Sequence, residues 1–414
     1  MKRWIQEQGE RLPVTAAYDV VVVGGGIAGV AAALAAARAG GSVALVEKAY
    51  ALGGLATLGN VNVYLPLCDG RGHQVIEGLG EELLKASIED GYDEIPACWR
   101  PGGDPQERLE HRYRVRFNPA SLILLLEELI LKEGIDLYYD TRFCDVALQG
   151  GRIGALIVEN KGGRSAMTSR TVVDASGDAD VCARAGEDTV SLATNVRAGW
   201  FFYTRGGEVE RVSLTKPYDP YGQEVQNGGR GYAGDRPEDV TAQVIDTRRL
   251  IRQRLEKLRQ TSDGETIRPF LLPTIPGFRM TRRLKGEIEL GEEHERHIFF
   301  DSVGMTGDWR KAGPVYYIPL RALAAPHVPN LITAGRCISS ASAWDITRVI
   351  PTCAVTGQAA GTAAALASCM ASPSFADMEI ETLQAHLRQQ GVPLKKRVPR
   401  QTATERPEKE NSPN

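Results

Sequence analysis

The chain has 414 residues, a formal net charge of -3 and 24% charged side chains. That length supports two substantial domains with large cores, and the near-balanced charge excludes a polycation that binds nucleic acid in bulk. The seven cysteines are scattered and none forms a C-x-x-C pair, which excludes a zinc ribbon and a closely spaced redox disulfide and fits a reduced, cytoplasmic setting.

In chain order, "MKRWIQEQGERLPVTAAYDV" has no apolar core of the secretory kind, and residues 1–17 read as an N-terminal extension. Residues 20–23 form a short β-branched run, a buried strand. Residues 27–39 are an alanine-rich helix stopped by Gly40 and Gly41, and residues 43–46 are the next strand. The helix is the most apolar stretch, but it is short and contains Arg38, so no membrane span is expected. A long glycine-rich loop follows, and loops of that length in compact domains are seldom idle. Residues 75–89 read as a helix and residues 91–117 as mixed. In "NPASLILLLEELILKEG" Asn118 caps a helix, Pro119 sits in its first turn and Gly134 lies past its end.

From residue 143 to 173 the pattern changes to a three-stranded meander, with turns at Gly150-Gly151 and Gly162-Gly163. "TVVDASGDADVCARAG" is a strand, a tight turn and a short helix. Residues 190–315 are less regular, with a strand in "GWFFYT" and a long helix near 236–260. "NLITAGRC" is a late strand and "PTCAVTGQAAGTAAALASCM" a glycine-dotted helix. The expected organisation is an α/β fold. A Rossmann-type dinucleotide-binding domain (18–75, 118–190 and 325–372) carries the inserted β-meander. A mixed α+β substrate or cap domain spans 76–117 and 191–324, a C-terminal helix spans 373–393, and residues 394–414 form a polar, disordered tail.

The first glycine motif is complete. Gly24, Gly26 and Gly29 follow a strand and open a helix, Ala33 lies on that helix, and Glu47 ends the second strand. Gly24 permits the tight turn, Gly26 lets backbone approach a pyrophosphate, and Gly29 with Ala33 brings the helix close to the sheet. The helix N-terminus offers free N–H groups to phosphates, and Glu47 accepts from the ribose hydroxyls and disfavours a 2′-phosphate. After this start the chain inserts a meander and a large second region, and no second G-x-G-x-x-G follows a strand. That points to a resident flavin rather than an exchanging nicotinamide.

"VVVGGGIAGVAAALAAARAGGSVALVEK", "GGLAT", "VVDASGDAD" and "NLITAGRCISSA" with "RVIPTCAVTGQAAGTAAALA" together resemble the bacterial FAD-dependent oxidoreductases with a glutathione-reductase-type flavin domain, distant relatives of the fumarate reductase flavoproteins. The resemblance covers about residues 18–370. It implies that Gly24, Gly26, Ile27, Ala28 and Gly29 meet the pyrophosphate, Glu47 the adenosine ribose, and Lys48 the adenine. Gly53, Gly54, Ala56 and Thr57 would run beside the pyrophosphate and isoalloxazine, and Ala175, Ser176 and Gly177 would form a turn near the adenine end. Gly335 and Arg336 stand where many flavoproteins have Gly-Asp; Arg336 replaces the acid that binds a ribityl hydroxyl and is assigned to phosphate instead. Pro351 and Thr352 open the last helix, whose N-terminus would face the flavin pyrimidine edge and favour the negative charge of the reduced state.

Catalytic candidates are less determined. Arg279, Arg282 and Arg283 read either as a bidentate clamp for carboxylate, sugar or flavin, or as a solvated strand paired with Glu287 and Glu289. Asp345 and Arg348, just before the flavin helix, read as substrate tuning or as a salt bridge. His73 lies in the loop after Gly53-Gly54 and reads as a base near neutral pH or as a surface histidine. His294 and His297 lack a third ligand fixed by sequence, so no metal is expected, and Tyr316 and Tyr317 read as pocket lining or core. The expected activity is hydride transfer between a small organic substrate (an alcohol, an amine or a C=C bond) and flavin N5. The rivals are a flavin monooxygenase driven by a nicotinamide and a flavin-containing RNA-modifying or RNA-binding protein. The arginines near 100–116 and 279–285 are interleaved with acids, so no nucleic-acid partner is expected. The electron acceptor and a homo-oligomer are left open.

Overall fold

The computed structural model describes residues 11–91, 93–214, 225, 229–262 and 264–396. β1 (Val14–Val23), α1 (Ile27–Arg38) and β2 (Val43–Val46) form the opening βαβ unit. The next segment carries β3 (Val63–Tyr64), α2 (Leu79–Ser87), β4 (Val115–Arg116), α3 (Pro119–Lys132) and β5 (Asp136–Tyr138). α3 starts where the sequence signals it: Asn118 Oδ1 accepts the Ala120 N–H at 3.0 Å, a cap worth about 1 kcal/mol. The meander is β6 (Arg142–Gln149), β7 (Arg152–Asn160) and β8 (Gly163–Asp174), followed by α4 (Asp180–Ala185).

The second region contains β9 (Thr189–Ser191), β10 (Trp200–Arg205), β11 (Glu208–Ser213), α5 (Pro237–Gln260), β12 (Ile267–Leu271) and β13 (Arg282–Leu284). A hairpin of β14 (Ser302–Gly307) and β15 (Val315–Pro319) leads to β16 (Leu331–Thr333), the short α6 (Trp344–Thr347), α7 (Ile350–Ser368) and α8 (Ile380–Gln389).

The main sheet runs β5-β2-β1-β8-β7-β6, with β16 also on β8. β8 is long because it serves two neighbours along one edge. Its first half pairs antiparallel with β7, from Asn160↔Gly163 to Ala155↔Thr168, and its last residues pair in parallel with β16, from Leu331↔Val172 to Thr333↔Asp174. β1 follows the whole length of β8 on the other side. Strand β1 therefore begins at Val14, with Val14 opposite Ala166 and Tyr18 opposite Ser169. This corrects the expected extension: the residues before 18 include the first part of a strand, because β8 supplies a partner there.

Alternate residues of β1 face opposite layers. Val20 and Val22 join the core with α1, α3 and α7, while Val21 and Val23 join the core with the meander and α4. A strand buried on both faces is what its uninterrupted valine run predicts. On the first face α1 and α7 cross backbone against backbone. A Cβ at Gly357 would stand 2.2 Å from the Ala28 carbonyl oxygen, and one at Gly361 would stand 2.0 Å from that of Ala32. The second region has its own small core, with Phe201, Tyr203 and Ile267 of the β11-β10-β12 sheet beneath Ile251 and Leu255 of α5. Among the described residues no helix is long and apolar enough to cross a membrane.

The tail also starts later than expected. Leu394 is buried, and Lys396 Nζ lies 2.6 Å from Asp69 Oδ2, so residues 394–396 are packed against the body. The remainder of the expected tail lies outside the described residues.

Candidate cofactor and active site

The glycine turn joins a buried strand to an uncapped helix N-terminus. Gly24 has φ +104°, and a Cβ there would stand 2.5 Å from the Ala175 carbonyl oxygen, so turn and neighbouring strand end touch through backbone alone. Gly29 is still tighter, with its Cβ position 1.7 Å from the Gly24 oxygen. Gly26 is the exception. It is the N-cap of α1, no side chain caps the helix, its first turn carries no acid, and nothing lies within 4 Å of a Cβ built on it. Gly54 closes the far side, with its own Cβ position 3.2 Å from the Gly26 Cα. Uncapped amides, a positive helix end and an open volume walled by glycine backbone are what a pyrophosphate requires. Ile27 and Ala28 supply the first amides of α1.

Glu47 is buried at the end of β2. Its Oε2 accepts the Gly25 N–H at 2.6 Å and its Oε1 the Ala49 N–H at 2.7 Å, which fixes the carboxylate beside the glycine turn. Lys48 is exposed next to it. Thr57 Oγ1 donates to the Leu52 carbonyl and locks the loop that contains Gly53, Gly54 and Ala56. This loop ends in a residue that sequence reasoning passed over. Asn60 is buried with φ +58°, and its Nδ2 has no hydrogen-bond partner. The Gly59-Asn60 dipeptide was the available signal, since asparagine enters the left-handed region more readily than most residues. Strained backbone with an orphan donor marks a functional segment.

On the opposite wall Ala175 N donates to Val23 O, and Ser176 donates through N and Oγ to the buried Asp174. Gly177 turns the chain with φ +82°. Arg336 does not have an open guanidinium. Its Nε donates to Gly177 O, Nη1 to Phe278 O at 2.8 Å and Nη2 to Asp178 Oδ1 at 2.7 Å. It thus pins the turn to the second region with three of its five N–H donors. Gly335 does approach α1, its Cβ position lying 2.7 Å from the Ala28 Cβ. Asp180 is pushed up to about 6 by burial and by the Asp178 and Asp174 carboxylates, with Arg282 and Lys48 opposing.

The catalytic candidates separate. Arg282 Nε donates to Asp178 O at 2.7 Å and Nη2 to Asp180 Oδ1 at 2.6 Å, whereas Arg283 pairs with Glu289 at 2.5 Å and lies over the Trp344 ring. Adjacent residues of β13 point to opposite faces, so the clamp of neighbouring arginines is not formed. Glu287 pairs with Arg321 instead. Asp345 and Arg348 form a buried ion pair with each other at the foot of α7. His73 Nδ1 lies 3.2 Å from Oδ2 of Asp69, a fully buried carboxylate that also takes the Arg71 and His73 amides and Lys396. His294 Nδ1 accepts the Gly291 N–H, and its ring packs on Phe299.

α7 mirrors α1: no side chain caps it, its first turn carries no acid, and Pro351 stands in that turn. Thr352 Oγ1 is 2.8 Å from Thr306 Oγ1, which seats the β14–β15 hairpin against the helix start. Two bare helix N-termini around a parallel sheet edge, one at a glycine turn beside a fixed glutamate, define a dinucleotide-binding α/β protein of the flavin type.

The sequence profile of the FAD dependent oxidoreductases matches residues 19–196 and 197–387, and the chain belongs to that family. No curated protein matches it by sequence. Among solved structures it is similar to a geranylgeranyl bacteriochlorophyll reductase-like protein of Thermoplasma acidophilum. The identity there is 12%, with 91% of this chain and 82% of that one covered and a TM-score of 0.44. For a flavocytochrome c3 fumarate reductase the values are 13%, 86%, 79% and 0.41. For the 3-ketosteroid-delta4-(5alpha)-dehydrogenase of Rhodococcus jostii RHA1 they are 15%, 85%, 97% and 0.39. The assignment rests on the family match.

Proposed function

We propose that this FAD-dependent oxidoreductase transfers a hydride between a small organic substrate, an alcohol, an amine or a C=C bond, and the flavin N5. The observation that carries the reading is the roof over the loop of residues 53–62. Arg211 Nη1 of β11 donates to Asn62 Oδ1 at 2.6 Å, and Thr274 N donates to Leu58 O at 2.8 Å. The second region thereby ties down the end of the loop whose Gly53, Gly54, Ala56 and Thr57 the family resemblance sets beside the isoalloxazine, which supports a site closed on that side. Bound FAD supplies the hydride-accepting centre. The glycine cradle with Glu47 holds its pyrophosphate and ribose, and Asn60 offers an amide to an oxygen of substrate or cofactor. With Asp69 on Nδ1, His73 keeps Nε2 to take a proton.

Three thiols are ill suited to a cysteine relay. Burial pushes Cys182 and Cys337 well above the usual range and Cys353 up to about 12, so they stay protonated and unreactive. Small molecules are the proposed partners, and the cytoplasm the proposed location. The test is anaerobic bleaching of the holoprotein. An alcohol, amine or saturated acid that removes the visible flavin absorbance without NADH supports the dehydrogenase reading. Bleaching by NADH alone, with oxygen uptake dependent on an aromatic substrate, replaces it with a monooxygenase.

A further inference from the structure

Tyr316 is fully buried, and its hydroxyl has no hydrogen-bond partner among the described residues. An orphaned buried hydroxyl is destabilising, so its place in the fold calls for a reason. In the β14–β15 register Tyr316 stands opposite Thr306, and Gly304 opposite Ile318. Directly opposed residues of an antiparallel pair project to the same face. That face lies on α7: a Cβ at Gly304 would stand 2.4 Å from Val355 Cγ1, and Thr306 bonds Thr352 in the first helical turn. The hairpin thus runs along α7 toward its N-terminus and delivers the Tyr316 phenol to the uncapped end. Most donors of the neighbouring guanidinium groups are engaged, while Arg112 Nε has no partner among the described residues. Arg310 binds Asp308 at 2.9 Å and Glu292 at 2.6 Å, and Arg112 donates to the carbonyls of Asp308 and Trp309.

The geometry points to Tyr316 as a hydrogen-bond donor to a carbonyl-type oxygen of the molecule bound at the N-terminus of α7, either the flavin pyrimidine carbonyl or a carbonyl or carboxylate of the substrate. The inference rests on FAD lying against this helix. Burial and the carboxylates of Asp308, Glu292 and Glu295 push the phenol up to about 12, so it remains a donor throughout the neutral range. An uncharged donor suits a carbonyl oxygen there, because it polarises that oxygen without adding an ion to a buried site.

The experiment compares Tyr316→Phe with the native holoprotein at equal FAD content. Sulfite is the probe. Its sulfur lone pair adds to the flavin N5, and the displaced electron pair settles on the pyrimidine N1 and carbonyl oxygen, so its affinity reads hydrogen bonding at that edge. If the oxygen belongs to the flavin, the variant binds sulfite about tenfold more weakly, and its two-electron potential falls by about 30 mV. If it belongs to the substrate, sulfite affinity and potential stay native, while acetate, read by its perturbation of the flavin spectrum, binds about tenfold more weakly. Both affinities within twofold of native, with FAD fully loaded, would overturn the inference. Should the Phe variant fail to load FAD, 3-fluorotyrosine at position 316 preserves the shape and strengthens the donor. It is expected to tighten one of the two probes, and no change in either overturns the proposal. Loss of FAD from the native protein itself would strike the cofactor reading instead.

Discussion

Helices α1 and α7 meet so closely that two glycines of α7 have no room for a Cβ, whereas α5 covers its small sheet through one stripe, Gln243, Thr247, Ile251 and Leu255. The first contact is made of backbone and methyl groups and leaves both helix N-termini bare at the cofactor edge. The second includes buried polar atoms without partners among the described residues, Gln243 Nε2 and Oε1 and Thr247 Oγ1, and displays arginines outside. Close packing fixes atoms that a rigid cofactor must meet. A looser, ion-paired layer can shift without unpacking the core. Stability is therefore concentrated in one half and tolerance in the other.

The sharpest way to break this contrast is Gly361→Val. Its side chain would be driven into the Ala32 carbonyl, and a loss of about 3 kcal/mol or more is expected from chemical denaturation. A loss under 1 kcal/mol would mean that the helices can part freely. Gly26→Ala tests the same region with the opposite prospect. The Cβ meets no protein atom, so the apoprotein should keep a near-native melting temperature. It fills the pyrophosphate space, however, and FAD affinity by fluorescence titration should fall roughly hundredfold, about 2.7 kcal/mol.

Two ion pairs extend the comparison. Although burial pushes it upward, Asp69 is held below the usual carboxylate range by Lys396 and by the Arg71 and His73 amides. A depressed folded value contributes stability above the unfolded value of about 4 and loses it as pH falls through the folded one. Lys396→Met should therefore cost about 2 kcal/mol at pH 7, with the deficit shrinking below about pH 4 as Asp69 protonates in both proteins. A deficit that grows on acidification would contradict this assignment. Within the cap, Gln243→Leu should raise stability by about 1 kcal/mol by removing orphaned amide atoms. Arg249→Ala, which breaks an exposed pair with Asp246 at 3.0 Å, should alter urea unfolding by less than about 0.5 kcal/mol.

The glycine turn, α1, β2, the capped α3, the meander and the α7 helix were legible because local patterns specify them: a valine run into glycines, an Asn-Pro start, alternation between turn pairs. The glycine geometry of the proposed cofactor cradle was legible for the same reason, since each glycine answers a local steric demand. The arginines were not. Sequence places Arg279, Arg282 and Arg283 together, but strand alternation sends Arg282 to Asp180 and Arg283 to Glu289.

By itself the sequence determined that a pyrophosphate could lie against α1, that an acid would await a ribose, and that no second nucleotide motif follows. These depend on residues a few positions apart. Tertiary structure alone decided that Arg336 is bonded to the Asp178 turn, that Asp69 joins His73 to the C-terminal Lys396, and that Tyr316 brings a spare hydroxyl to the α7 N-terminus. Each of these joins residues far apart in the chain through the register of a strand or the path of a loop. Side-chain commitments across such distances follow from packing, which no local pattern encodes.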